Sequence, residues 1–182
     1  TVNNIVSLRS GVNNANNDRT LKLYKHYPGP TPSLEPLVDL GKEIIQGKHT
    51  IDSAYNPNVN FGIFVYAHRW YDETTQTLKE ALRAVVYDQG TLRYGPNNQG
   101  YTIADLPNNP LLVDPTDIYG CISRAVISTA LVKKPDGSNR VFVVLGYVGN
   151  PEGKHVYIYA ADWNDTTNTF TSVPGSGTEW KT

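Results

Sequence analysis

Within six positions, His68-Arg69-Trp70-Tyr71-Asp72-Glu73 brings together a base, a cation, two rings and two carboxylates. Hydrolysis and RNA cleavage use such an inventory: a His or Glu takes a proton, a second group returns it, and an Arg offsets the negative charge that develops. Beyond this run, Glu80 is the expected partner carboxylate, Arg83 a second charge stabiliser, and His155 an alternative base or acid. The structural reading of the same residues is that Trp70 caps the core, Asp72 caps a helix and Arg69 pairs with a carboxylate. Structural ion pairs and caps are the commoner use of such residues.

Glu80-Ala81-Leu82-Arg83 resembles the Glu-Ala-x-Arg helix segment of ribosome-inactivating N-glycosidases. That resemblance implies that Glu80 and Arg83 stabilise an oxocarbenium ion and activate water. It covers four residues, and Ala84 stands where that family has an aromatic, so the family is not assigned. On a helix the same spacing makes an ordinary exposed ion pair. The four histidines, at 26, 49, 68 and 155, lack the spacing of a helical zinc motif, so no metal or cofactor is expected. Gly149-Asn150-Pro151-Glu152-Gly153-Lys154 reads as a hairpin turn rather than a phosphate cradle, because no Ser or Thr follows the Lys. No G-x-S-x-G elbow is present. The single Cys121 reads as a small buried hydrophobe and excludes an intrachain disulfide.

Aromatic residues make up 10% of the chain, with 12 Tyr against 4 Phe. A ring carrying a hydroxyl favours half-wet positions, where it can stack on a sugar or base and still meet water. Trp70, Tyr94, Tyr101, Tyr157, Tyr159 and Trp163 are the candidate ligand-binding residues, with Asn and Asp supplying hydrogen bonds.

Positioning these residues falls to a small set of elements. Alternation over Leu21 to Tyr27 predicts a half-buried strand. Ser33 stands at an N-cap, and Leu34, Leu37, Val38, Gly41, Ile44 and Ile45 form an apolar stripe ending before Gly47, which predicts an amphipathic helix with Pro36 in its first turn. Phe61 to His68 reads as a strand. After it, Leu78, Leu82, Val85 and Val86 predict a second helix, with Thr77 to Glu80 matching a capping box. Val85-Val86-Tyr87 before Asp88-Gln89-Gly90 reads equally as a strand turning into Thr91 to Tyr94. A long loop carries a short strand at Tyr101 to Ala104. Ile118 to Val132, Val141 to Val148, Val156 to Ala161 and Thr169 to Val173 then form an antiparallel meander. The expected fold is α+β: one domain over residues 1–182, with two amphipathic helices from the N-terminal half packed on the C-terminal meander.

Composition narrows the function. At 182 residues a single core suffices. A net charge of -1 and a pI near 6.4 argue against nucleic acid as partner. The longest apolar run, Val141 to Leu145, is too short to span a bilayer. The absence of Met, even at position 1, predicts a processed product, secreted after signal removal or cytoplasmic after loss of an initiator Met. Asn164-Asp165-Thr166 is a glycosylation sequon on a turn. The function these features favour is a secreted binding protein of defence or lectin type, recognising a carbohydrate or other polar ring-bearing ligand. The alternative is a small secreted hydrolase acting on RNA or a glycosidic bond through His and Glu. Tyrosine-rich edges also suit oligomer contacts.

Overall fold

A computed structural model describes residues 5–13, 18–27, 30–40, 51–106, 126–149 and 153–180. Cys121 and His49 lie outside them, as does the expected strand's start at Ile118. The described chain is almost wholly β, in three antiparallel sheets. Sheet I contains β1 (Ile5–Asn13), β2 (Asp18–Tyr27) and β3 (Ser33–Asp39), paired in sequence order. Sheet II is a meander of β4 (Ile51–Asn56), β5 (Phe61–Asp72), β6 (Thr77–Asp88) and β7 (Thr91–Arg93), with β8 (Tyr101–Asp105) also pairing β6. Sheet III repeats the plan with β9 (Val126–Lys133), β10 (Asn139–Gly149), β11 (Gly153–Asn164) and β12 (Thr169–Ser172), while β13 (Thr178–Glu179) adds to β11.

Sheets II and III pack face to face through alternate residues, as the two-residue period of a strand requires. Phe61, Ile63, Val65 and Ala67 of β5 and Leu82, Ala84 and Val86 of β6 meet Val141, Val143 and Leu145 of β10 and Tyr159, Ala161 and Trp163 of β11. At one edge β4 runs beside β9, where the Thr129 amide donates to Asp52 Oδ2 at 2.6 Å. The opposite face of sheet II carries Tyr66 and Val85, which close a second core with Leu23 and Leu40 of the N-terminal layer. Sheet II is thus buried on both faces.

That double burial explains why neither expected helix exists. The stripe Leu78, Leu82, Val85 and Val86 lies on β6, hydrogen-bonded along its length to β5 from Asp72↔Thr77 to Phe61↔Asp88. Leu82 and Val86 serve one core and Val85 the other, so a strand with two dry faces gives the dense apolar run that a helix stripe also gives. Thr77 opens the second arm of a hairpin rather than a capping box. Asp72 Oδ1 accepts from the amides of Thr74 at 2.9 Å and Thr75 at 3.3 Å, an Asx turn that offers the backbone an alternative to helix. The Ser33 helix is replaced over Ser33–Asp39 by the edge strand β3, and its remaining residues, 41–47, lie outside the described set. Pro36 pairs with Tyr24 just past a bulge, which suits a residue without an amide on an edge strand. The α+β expectation is therefore corrected to an all-β arrangement. The alternative reading of Val85 to Tyr94 as two strands around Asp88-Gln89-Gly90 is what the chain adopts.

No helix among the described residues is long and apolar enough to cross a membrane.

Candidate functional site

Because the strands of sheets II and III run up and down in register, the turns 57–60, 89–90, 134–138 and 165–168 all emerge at one end of the packed sheets. Between them lies a polar cleft of about 760 Å³. Its walls carry Asn58, Asn60, Asp88, Gln89, Arg93, Lys133, Asp136, Ser138, Asn139 and Asp165, with Trp163 among the residues lining it. The tips are held in shape by local bonds. Gln89 Nε2 donates to the Val59 carbonyl at 2.8 Å and the Gln89 amide donates to the Asn60 carbonyl at 3.1 Å, joining two turns. Tyr55 donates to Asn60 Oδ1 at 2.9 Å. Asn60, Gln89 and Asn168 take left-handed backbone angles of 49°, 47° and 53°, which Asn tolerates and turns of this kind demand.

Charge in the cleft is mixed. Arg93 approaches Asp88 at 3.9 Å, while Lys134 bridges Asp136 at 2.8 Å and Asp162 at 2.9 Å. Hydrogen bonds from Lys134 and Ser138 hold the Asp136 carboxyl far below the ordinary carboxylate range. Trp163 is only 4% exposed, wedged between Tyr101 (ring centroids 5.1 Å apart), Phe170 (4.9 Å) and Phe61 (6.5 Å). Among the described residues its buried indole Nε1 has no hydrogen-bond partner, nor has the buried Nε of Arg93, another residue of the lining, or Asn168 Oδ1 in the neighbouring turn. Buried polar groups in native proteins are rarely left without a partner, so two such donors and one such acceptor set this end of the molecule apart.

The other candidate residues fall into two separate groups. On the face of sheet II that meets the N-terminal layer, His68 stacks on Trp70 (5.1 Å, 19°) and Arg83 lies over the Trp70 ring. Arg83 Nη1 donates to Gln99 Oε1 at 3.2 Å and to the Gln99 carbonyl at 3.3 Å, and the Tyr66 hydroxyl donates to that same carbonyl. His68 is 1% exposed, and burial, helped by the Arg83 charge, lowers its pKa to about 3. It is a neutral, sequestered imidazole whose Nδ1 has no partner among the described residues. Burial also lowers the Arg83 pKa and raises that of Tyr66. Tyr94 packs against this same layer, and burial raises its pKa.

Glu80 does not join them. Arg69 pairs with Glu80 across the β5–β6 ladder, one step out of phase with the His68↔Ala81 pair, so Glu80 leaves the sheet on the face opposite His68 and Arg83. The N-glycosidase likeness required a helix to bring Glu80 and Arg83 onto one side, and on a strand three residues put them on opposite sides. The side chain of Arg69 lies outside the described set.

The second group lies on β11. Tyr147, His155, Tyr157 and Tyr159 form a run of stacked rings at spacings of 5.1 to 6.5 Å. There His155 Nδ1 meets Glu179 Oε1 at 2.6 Å, because β13 pairs Glu179 with Tyr157. Burial raises the pKa of Tyr159 to about 12 and pushes that of Tyr147 higher still. Of the ligand-binding candidates, then, Trp163 lines the cleft with Tyr101 packed against its ring, Tyr157 and Tyr159 stack along β11 toward its other end, and Trp70 and Tyr94 lie on the face of sheet II that meets the N-terminal layer.

Sequence reasoning missed Asn58, Asn60, Gln89, Arg93 and Glu179. For the first three a signal existed, since each lies in a hairpin turn and an up-and-down meander sends alternate turns to one end. For Glu179 none did, because its contact depends on a two-residue strand. Among the described residues, no group of three or more His, Cys, Asp or Glu is placed to hold a metal ion. Comparison with known proteins gives no matching family model, no matching curated protein and no matching solved structure.

Proposed function

We propose that this chain is an extracellular binding protein of lectin type, and that the cleft at the turn end of sheets II and III takes a neutral, hydroxyl-rich ligand such as an oligosaccharide. The observation that carries this reading is the polar lining of the cleft, where the amides of Asn58, Asn60, Gln89 and Asn139 stand beside Asp88 and Arg93, with the edge of Trp163 among them. Paired donors and acceptors on short, internally bonded turns match the vicinal hydroxyls of a sugar, which offer a donor and an acceptor on each carbon. The mixed charge of the rim gives a phosphate polymer no continuous cationic track, which disfavours nucleic acid. A glycan array followed by calorimetric titration of the best ligand tests the proposal. Saturable binding that is lost in a Gln89→Ala, Asn60→Gly double variant supports it, and silence across neutral glycans sinks it.

A hydrolytic reading has one observation in its favour, the His155 to Glu179 contact at 2.6 Å beside the rings of Tyr147 and Tyr157. Such a contact can orient an imidazole for acid and base work. Turnover of RNA or an aryl glycoside that disappears in Glu179→Gln is its signature.

A further inference from the structure

Two hairpin turns of this chain are built to one plan. Asp72-Glu73-Thr74-Thr75-Gln76-Thr77 joins β5 to β6, and Asn164-Asp165-Thr166-Thr167-Asn168-Thr169 joins β11 to β12. In each, the first side chain turns back over the loop, and its Oδ1 accepts from the backbone amides two and three residues on. Asp72 accepts from Thr74 and Thr75 at 2.9 and 3.3 Å, and Asn164 from Thr166 and Thr167 at 3.0 Å each. Two threonine hydroxyls then sit 2.8 Å apart in both turns, Thr75 against Thr77 and Thr167 against Thr169. Gln76 and Asn168 occupy the same left-handed corner, at backbone angles of 51° and 53°.

The pair isolates what Asn164 has beyond the needs of its turn. The turn requires one acceptor oxygen at its first position, and a carboxylate serves as well as an amide, since Asp72 holds the same geometry. Asn164 brings a second polar atom, Nδ2, whose two N–H donors have no partner among the described residues. Asn164 to Thr167 are all exposed. Thr166 stands two residues on, which makes Asn164-Asp165-Thr166 an Asn-x-Thr acceptor sequence, and no other Asn-x-Ser or Asn-x-Thr occurs in the chain. Asp72-Glu73-Thr74 has the matching hydroxyl but not the amide.

We infer that Asn164 is the acceptor of an N-linked oligosaccharide when the chain passes through a secretory route that makes such transfers. The inference rests on the proposed extracellular setting, and on the turn for its chemistry. In the transfer, Nδ2 attacks the anomeric carbon of a polyprenyl-pyrophosphate-linked oligosaccharide. A carbon–nitrogen bond forms, the bond from the anomeric carbon to the pyrophosphate oxygen breaks, the pyrophosphate leaves with the electron pair, and the amide gives up one proton. No oxidant or reductant enters. The folded turn accommodates the product, because Nδ2 holds no bond that the sugar would break and the two bonds to Oδ1 stay intact. Trp163 faces sheet II and lines the cleft, so Asn164, next along the strand, leaves β11 on the other side. The oligosaccharide therefore stands beside the cleft rather than in it.

Secretion from eukaryotic cells tests it. The chain is expressed behind a cleavable secretion signal, and intact mass is read on the product from both medium and cells. Wild type is expected to carry one oligosaccharide above the 20.2 kDa of the chain, removed by an amidase that cleaves the glycosyl–asparagine bond. Asn164→Asp is expected to carry none and to keep its turn, as Asp72 does. Thr166→Ala is expected to carry none while leaving Nδ2 in place. A circular dichroism spectrum matching wild type in both variants ties the loss to the acceptor sequence rather than to the fold. Wild type without added mass overturns the inference, as does an oligosaccharide that persists in either variant. The cleft is judged separately, on chain made in the bacterial cytosol without oligosaccharide. Silence of that chain on a glycan array removes the binding proposal and leaves Asn164 as an acceptor.

Discussion

The Arg83 guanidinium carbon lies 4.5 Å from the centroid of the Trp70 ring, a cation held over an aromatic face inside the layer between sheet II and the N-terminal strands. Partial desolvation strengthens such a contact. Three further groups depend on the geometry: Gln99, which accepts from Arg83 through both its carbonyls; Tyr66, which shares the Gln99 backbone carbonyl; and His68, stacked on Trp70 and edge-on to Tyr66. The cluster is a polar network that fixes how the strands of sheet II stand beneath their cover, and its stability carries a pH signature.

His68 has a folded pKa of about 3 against an ordinary 6.5, so the unfolded chain binds its proton first as pH falls. The contribution to stability is complete above pH 6.5 and is lost as the pH drops from there toward 3. Denaturant titrations at pH 7, 6 and 5 are expected to show unfolding free energy falling with a slope approaching about 1.4 kcal/mol per pH unit below 6. His68→Phe flattens that part of the curve. An unchanged slope in the variant places the titration elsewhere.

Gly100 is a second point of leverage on the same network. Its backbone angle is +77°, and a Cβ there would stand 2.6 Å from the Tyr66 hydroxyl oxygen and 3.0 Å from the Ala84 carbonyl oxygen. Gly100→Ala combines backbone strain with displacement of the neighbours that bind Gln99, and a loss of about 2 kcal/mol or more in unfolding free energy is expected. Gly137→Ala, where the angle is +86° but nothing lies within 4 Å, isolates the strain alone and costs less.

At the cleft, Trp163→Phe separates binding from folding. Phenylalanine keeps the contacts with Phe170 and Tyr101 but trims the ring edge that lines the cleft, so glycan affinity measured by calorimetry is expected to fall by up to about tenfold. Trp163→Ala opens a cavity in the core between the two sheets and lowers stability by about 3 to 5 kcal/mol. Unaltered affinity in the phenylalanine variant removes Trp163 from the site.

Asp162 is held at a pKa of about 2, chiefly by the Arg140 guanidinium with Lys134 assisting. A depressed carboxylate stabilises above its unfolded value of 3.8 and ceases to do so as pH falls to about 2. Asp162→Asn should lower the denaturant midpoint at pH 7, with an effect that shrinks in high salt and vanishes at pH 2. A difference that survives at pH 2 assigns the loss to packing rather than charge.

The sequence alone was enough for the C-terminal meander, whose strands have two unlike faces and whose turns are marked. Val141 to Val148 and Val156 to Ala161 alternate, Lys134-Pro135-Asp136-Gly137-Ser138 and Asn164-Asp165-Thr166-Thr167 punctuate them, and the meander follows from local backbone preference. What it could not decide was β6. Leu78, Leu82, Val85 and Val86 fit a helix stripe as well as a strand dry on both sides, and only the layer of Leu23 and Leu40 on one face and sheet III on the other selects the strand. That choice then moved Glu80 away from Arg83 and His68. The cleft has the same origin: Asn60, Gln89, Asp136 and Asp165 are ordinary turn residues spread over more than 100 positions, brought together because antiparallel strands of two stacked sheets return to a common end. Local periodicity reports which way a side chain points relative to its neighbours, and only tertiary packing determines what stands opposite.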